Sequence, residues 1–191
     1  EEVYGTIEDV TLQNVTLTLG QNEESKTFNS LQGIGIFAGR SEGVMNHVAV
    51  ISAEDKGQTQ VLVDFEKIRT DLSVGSDTAA VGGISGIFAD QDQSGNTLEA
   101  LASGRMSDII MEGNVEVSLP KTLTDRVEDY AYGVGGIVGY AKMQTGENAA
   151  KLLNCTNHAD VSGNLMAGGI VGTMDSQLVY QGSYTDDDLA K

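Results

Sequence analysis

Apolar positions along this chain come in short alternating runs. Val10-Thr11-Leu12, Val15-Thr16-Leu17-Thr18-Leu19 and Val115-Glu116-Val117 each place an aliphatic residue at every second position. That spacing puts one side of an extended strand against a core and the other toward water. The β-branched residues in these runs suit the pleated surface of a sheet. Val61-Leu62-Val63-Asp64-Phe65 reads as a strand too, in preference to a helical alternative across 60–73. A second helical alternative covers 97–106, where Thr97-Leu98-Glu99-Ala100-Leu101 suits one short turn within a loop. The pattern predicts an all-β chain.

A glycine phrase punctuates the strands three times: Gly82-Gly83-Ile84-Ser85-Gly86, Gly135-Gly136-Ile137-Val138-Gly139 and Gly168-Gly169-Ile170-Val171-Gly172. A phrase that returns at intervals of tens of residues marks an array whose units cannot bury their apolar sides alone and must stack. The first interval is longer than the second. Laying residues 108–117 over 152–161 divides the difference into two polar insertions, at 90–105 and 118–132. Loops absorb such differences because closure costs only about 0.6 kcal/mol per doubling of length. The same grammar reads more loosely through Gly33-Ile34-Gly35-Ile36-Phe37-Ala38-Gly39, followed by a strand beginning at Val44-Met45-Asn46-His47-Val48-Ala49-Val50. The implied fold is a β-solenoid built from glycine-rich repeats with inserted loops, either a single domain over 1–191 or a segment of a larger protein. Its most regular repeats lie at about 82–173. Coils would stack at about 4.8 Å, with Ile84, Ile137 and Ile170 pointing inward and the glycines at the bend where neighbouring coils come closest.

The phrase Leu153-Asn154-Cys155-Thr156-Asn157-His158-Ala159-Asp160-Val161-Ser162-Gly163, then Ala167-Gly168-Gly169-Ile170-Val171-Gly172, resembles the GLUG-motif repeats of bacterial cell-surface proteins. Such repeats also occur in non-catalytic parts of M26-type IgA-cleaving peptidases. The resemblance covers about 108–173. Earlier copies depart from it, with Met111-Glu112-Gly113-Asn114 where Asn-Cys-Thr-Asn stands later. It implies a secreted, surface-attached, right-handed parallel β-helix, and it carries no catalytic residues onto this chain.

Composition agrees with a turn-rich array. There are 24 glycines and a single proline among 191 residues, against an ordinary glycine usage of roughly 7 %. The formal charge of −17, from 28 acids and 11 bases, argues against nucleic acid and anionic membrane as partners, since both need a basic footprint. The lone Cys155 provides neither an internal disulfide nor a Cys-x-x-Cys metal site. No stretch approaches 18 apolar residues, and the opening residues do not form a signal peptide. Targeting signals and neighbouring domains of the same polypeptide are expected elsewhere.

Candidate chemistry is sparse. A zinc peptidase needs His-Glu-x-x-His, but the only histidines are His47 and His158. Ser85 stands among glycines, yet its repeat counterparts are Val138 and Val171, which favours a structural role over a nucleophile. Cys155 and His158, three apart in a strand, point to opposite sides. Cys155 therefore reads as a small stacked residue beside Asn154 and Asn157, whose amides would satisfy a turn. Asp90, Asp92, Ser94 and Asn96 place oxygens as in a calcium-binding EF-hand loop with Gly95 sixth, but Leu101 replaces the twelfth-position glutamate. The alternatives there are a weak calcium site and an acidic solvated turn, and no cofactor is required. Asp64, Asp108 and Asp160 lack a repeated basic companion, and tryptophan is missing, which disfavours a uronate-cleaving groove. Tyr130, Tyr132 and Tyr140 are the aromatic candidates for a binding loop, with edge packing as the alternative for them.

The reading is a non-enzymatic, extracellular adhesin or stalk module on the bacterial cell surface. Its partner would be a host protein, mucin or immunoglobulin, or a glycan. A carbohydrate-active lyase or hydrolase and an accessory domain of an immunoglobulin-cleaving peptidase are the alternatives.

Overall fold

The computed structural model describes residues 2–20, 32–53, 58–64, 79–89, 104–118, 131–144, 150–163 and 166–177. These form strands and no helix. After a short β1 (Glu2–Val3), one coil is built from β2 (Thr6–Gln13), β3 (Thr16–Leu19), β4 (Gln32–Ile34) and β5 (Ala38–Ser41). The second coil is β6 (Val44–Ile51), β7 (Gln60–Asp64), β8 (Ala79–Gly82) and β9 (Ser85–Ala89). The third is β10 (Arg105–Met111), β11 (Asn114–Ser118), β12 (Ala131–Gly135) and β13 (Val138–Gln144). The fourth is β14 (Lys151–Asn157), β15 (Asp160–Ser162), β16 (Ala167–Gly168) and β17 (Val171–Gln177).

Every strand pairs in parallel with its counterpart one coil away. The first face is β14-β10-β6-β2, the second β15-β11-β7-β3, the third β16-β12-β8-β4 and the fourth β1-β5-β9-β13-β17. A strand joined to the strand four places on, through all four faces, is the connectivity expected of a parallel β-solenoid. The strand assigned to Val61-Leu62-Val63-Asp64 and the strand beginning at Val44 both stand. Arg105 and Met106, the end of one helical alternative, belong to β10, while Thr97–Leu101 lie outside the described residues.

Inward aliphatics form rows along the stack. Ile7, Met45, Met106 and Leu152 are in register, as are Val10, Val48, Ile109 and Cys155, and Leu17, Val61, Val115 and Val161. Met45, Val48, Met106, Ile109, Val61 and Val115 are fully buried, each contributing about 1.5–3 kcal/mol of transfer free energy. At the corner between third and fourth faces, Ile84 N–H donates to Ile137 O at 3.0 Å and Ile137 N–H to Ile170 O at 3.1 Å. Ile84 and Ile137 are fully buried, and Ile170 packs against the same core. The isoleucine ladder is therefore present, and Phe37 N–H, donating to Ile84 O at 3.0 Å, extends it into the first coil.

The glycines divide into three roles by what a methyl group would strike. At Gly82, Gly135 and Gly168 it would overlap the carbonyl three residues on, which closes the corner. At Gly83 and Gly136 it would overlap the carbonyl of the following coil. At Gly86, Gly139 and Gly172 it would overlap backbone of the third-face strand one coil earlier. Third and fourth faces thus meet backbone to backbone, and only glycine fits.

Two sequence assignments need correction. Ile109 pairs with Cys155 and Val115 with Val161, so the overlay of 108–117 on 152–161 is displaced by two residues. The slip keeps the inward valines of the second-face strand inward, Val117 over Val161, so their alternation did not expose it, although on the first face it sets outward Asp108 over inward Leu152. Asp108-Ile109-Ile110-Met111, not Met111-Glu112-Gly113-Asn114, occupies the place of Asn154-Cys155-Thr156-Asn157. The supposed insertions also shift: Arg105, Ser118 and Tyr132 are strand residues. Between second and third faces the chain spends residues 20–31, 65–78 and 119–130 in the first three coils but only 163–166 in the fourth, so the fourth coil is the shortened one.

Candidate functional site

The strands of the first face carry a feature that the sequence pattern concealed. Asp9, His47, Asp108 and Asn154 lie at one register level on successive coils, and all four have left-handed backbone, with φ of 55°, 51°, 55° and 51°. Asp, Asn and His are the non-glycine residues that visit this region most readily. The result is an outward polar ladder. His47 Nδ1 lies 3.7 Å from Asp9 Oδ1, and His47 Nε2 lies 3.8 Å from Asp108 Oδ2. Asn154 Nδ2 donates to Asp108 Oδ1 at 3.1 Å. One level earlier, Ser107 Oγ lies 2.6 Å from Asn46 Oδ1.

The histidine–carboxylate separations exceed hydrogen-bonding distance, and the side chains are 61 %, 84 % and 41 % exposed for His47, Asp9 and Asp108. Such pairs contribute little to stability. Their chemistry is that of a hydrogen-bonding strip presenting imidazole, carboxylate and amide to solvent. Residue type offered a signal for the ladder, but it becomes readable only after the overlay is moved by two residues.

A shallow depression of about 180 Å³ opens on the second face, lined by Thr18, Leu62, Asp64, Glu116 and Ser118 among others. It is smaller than the roughly 300–1,000 Å³ of ordinary small-molecule pockets. Asp64 is thus placed beside Glu116. Asp160 starts its strand level with Gln60, about 13 Å along the face from Asp64 at strand rise, and Asp108 is on the first face. The three carboxylates do not converge. Asp108 nevertheless has a basic neighbour in His47, contributed by the adjacent coil.

Other sequence candidates fall as follows. Ser85 is fully buried, and its Oγ donates to Ile87 O at 2.8 Å. Cys155 is half-buried in a core row, its Sγ 3.6 Å from Leu153 O. Burial pushes its thiol pKa above the ordinary value, against smaller lowering by hydrogen bonding with the Leu153 and Ile109 backbone, so little nucleophilic thiolate forms. His158 is exposed beyond the end of β14. Asn157 does satisfy a turn, its Nδ2 donating to Ala159 O at 3.0 Å and its Oδ1 accepting from Ala159 N–H at 3.1 Å. Asn154 instead bonds the Asp108 side chain. Tyr140 is no exposed platform: it is 9 % accessible and packs with Ala80 and Ile87. Asp90, Asp92, Ser94, Asn96 and Tyr130 lie outside the described residues, as does the side chain of Tyr132, whose backbone is part of β12.

Among the described residues, no group of three or more His, Cys, Asp and Glu side chains is placed to hold a metal ion. No family model, curated protein or solved structure matches the chain.

Proposed function

We propose that this chain is a non-catalytic, right-handed β-solenoid module of a secreted bacterial cell-surface protein, akin to GLUG-repeat regions. In this reading it serves as adhesin or stalk toward host mucin, immunoglobulin or glycan. The observation that carries the reading is a division of labour around each coil. The corner between third and fourth faces keeps one length in all four coils, while the connections after the second and fourth faces vary freely. A scaffold with fixed corners and variable connections suits recognition carried by loops. Immobilised chain is expected to retain mucin, immunoglobulin or a glycan with affinity in the tens of micromolar. Absence of binding to all three would leave only the stalk role.

Calcium is not required in this reading, because the candidate loop lacks the bidentate twelfth ligand. Melting curves in millimolar calcium and in chelator are expected to superimpose; a shift of several degrees would assign a calcium site.

The depression beside Asp64 and Glu116 favours one second reading, a carbohydrate-active solenoid. Product formation on a polysaccharide panel, abolished by Glu116→Gln, would establish it. An accessory role in an immunoglobulin-cleaving peptidase would be revealed by a catalytic domain encoded beside this segment.

A further inference from the structure

Two bases stand directly opposite one another in a chain where acids outnumber bases 28 to 11. Arg105 opens β10 and Lys151 opens β14; they are partners in the register of the two strands, and both side chains are exposed on the first face. Among the described residues neither has an ion-pair partner. The carboxylate on these two strands is that of Asp108, three residues on from Arg105 and bonded to Asn154. Like charges opposed on strands about 4.8 Å apart repel. The coil does not require the pair, because the same register level carries Val44 in the second coil and Thr6 in the first. A charge arrangement that disfavours the fold, at a level where the fold accepts uncharged residues, is expected where a site is built.

The neighbouring outward residues specify what the pair would hold. Leu153 is the next outward residue of β14 and is 38 % exposed. Asn154 follows it, giving one amide hydrogen to Asp108 and keeping a second, together with its Oδ1. From Lys151 to Asn154 is three residues, about 10 Å at strand rise. The strip therefore presents, in order, two cations, an apolar side chain, and an amide beside a carboxylate. A sugar acid matches that order: its carboxylate accepts from the guanidinium and the ammonium, the C–H side of its ring lies on Leu153, and its hydroxyls meet Asn154 and Asp108.

We infer that Arg105, Lys151, Leu153, Asn154 and Asp108 form a binding site for a carboxylate-bearing sugar. The inference rests on the reading of the chain as an adhesin and names the class of glycan that it takes. The net charge of −17 does not prevent it, since the screening length at physiological salt is about 8 Å and the groups touching the carboxylate are basic.

Titration of the full chain with sialyllactose, with a glucuronate-terminated disaccharide and with lactose, followed by nuclear magnetic resonance shifts, tests the inference. At least one acidic probe is expected to bind with a dissociation constant of about 1 mM or below, and lactose at least tenfold more weakly. Which acid binds distinguishes a terminal sugar of a host glycan from a polysaccharide uronate. Arg105→Gln and Lys151→Gln are each expected to weaken that binding at least tenfold at an unchanged melting temperature, while Lys151→Arg retains it. Lactose bound as tightly as the acids, no binding of either acid at about 10 mM, or a Lys151→Gln variant that binds as the unsubstituted chain does would overturn the inference. The adhesin reading has its own readout: a chain that retains mucin, immunoglobulin or glycan while giving any of those three results keeps that reading and loses only the sugar-acid site.

Discussion

At the scale of single residues, the fold depends on where a side chain is forbidden and where an unusual backbone is tolerated. The third glycine of each phrase lies against the preceding coil's backbone, which cannot yield as a flexible side chain would. Gly139→Ala, whose methyl group would overlap the Val81 amide, is expected to lower stability by about 3 kcal/mol in chemical denaturation. Gly169→Ala should leave it unchanged. The left-handed ladder makes the converse point, since its residues are polar and short-branched because the backbone selects them. His47→Val should cost about 1–2 kcal/mol, while His47→Asn should be nearly neutral, because asparagine keeps the backbone preference and loses only weak exposed ion pairs. Equal losses for both would mean that the imidazole, not the backbone, matters there. A part-buried pair at the first short corner, Arg40 with Glu42, shows one more local requirement: Glu42 is 6 % exposed and its carboxylate is held by the guanidinium of the more exposed Arg40.

At the scale of elements, each strand is stabilised by the coils above and below it, so position in the stack grades the consequence of a cavity. Ile137→Ala removes a fully buried side chain flanked by Ile84 and Ile170 and is expected to cost about 3–4 kcal/mol. Ile170→Ala, at the open end, should cost less than half as much; urea titration of the two variants distinguishes them. The same dependence on neighbours explains what the sequence revealed and what it hid. The glycine phrase announced the third-to-fourth-face corner and its isoleucine ladder, because steric exclusion leaves an unmistakable trace in residue type. First-face register was less legible. A left-handed residue interrupts the alternation of each first-face strand, so a strict period-two reading missed that the slip sets outward Asp108 over inward Leu152, and the left-handed positions fix Asp108 over Asn154. The hydrogen bonds that brace the long second-coil corner were also invisible in sequence. Ala53 N–H donates to Asn14 Oδ1 and Ser52 N–H to Glu112 Oε2, both at 2.9 Å, and both partners come from neighbouring coils.

At the scale of the whole molecule, the described residues form a parallel stack with a continuous aliphatic interior and polar outer strips. Its loops leave from fixed corners, its one cysteine is a packing residue, and the polar ladder of the first face was found only through three-dimensional register. The coil-on-coil register underlies all of these statements, and cross-linking measures it directly. Ile110 and Thr156 are outward neighbours on adjacent coils, at the roughly 4.8 Å spacing of paired strands, within the Cα separation of about 4.4–6.8 Å that a disulfide spans. In a Cys155→Ala background, Ile110→Cys with Thr156→Cys is expected to form an internal disulfide under mild oxidation, read as a shift on a non-reducing gel and by mass. Ile110→Cys with Asn154→Cys, the pair required by the two-residue slip, should not. Efficient cross-linking of the second pair and failure of the first would contradict the stacking described for this protein.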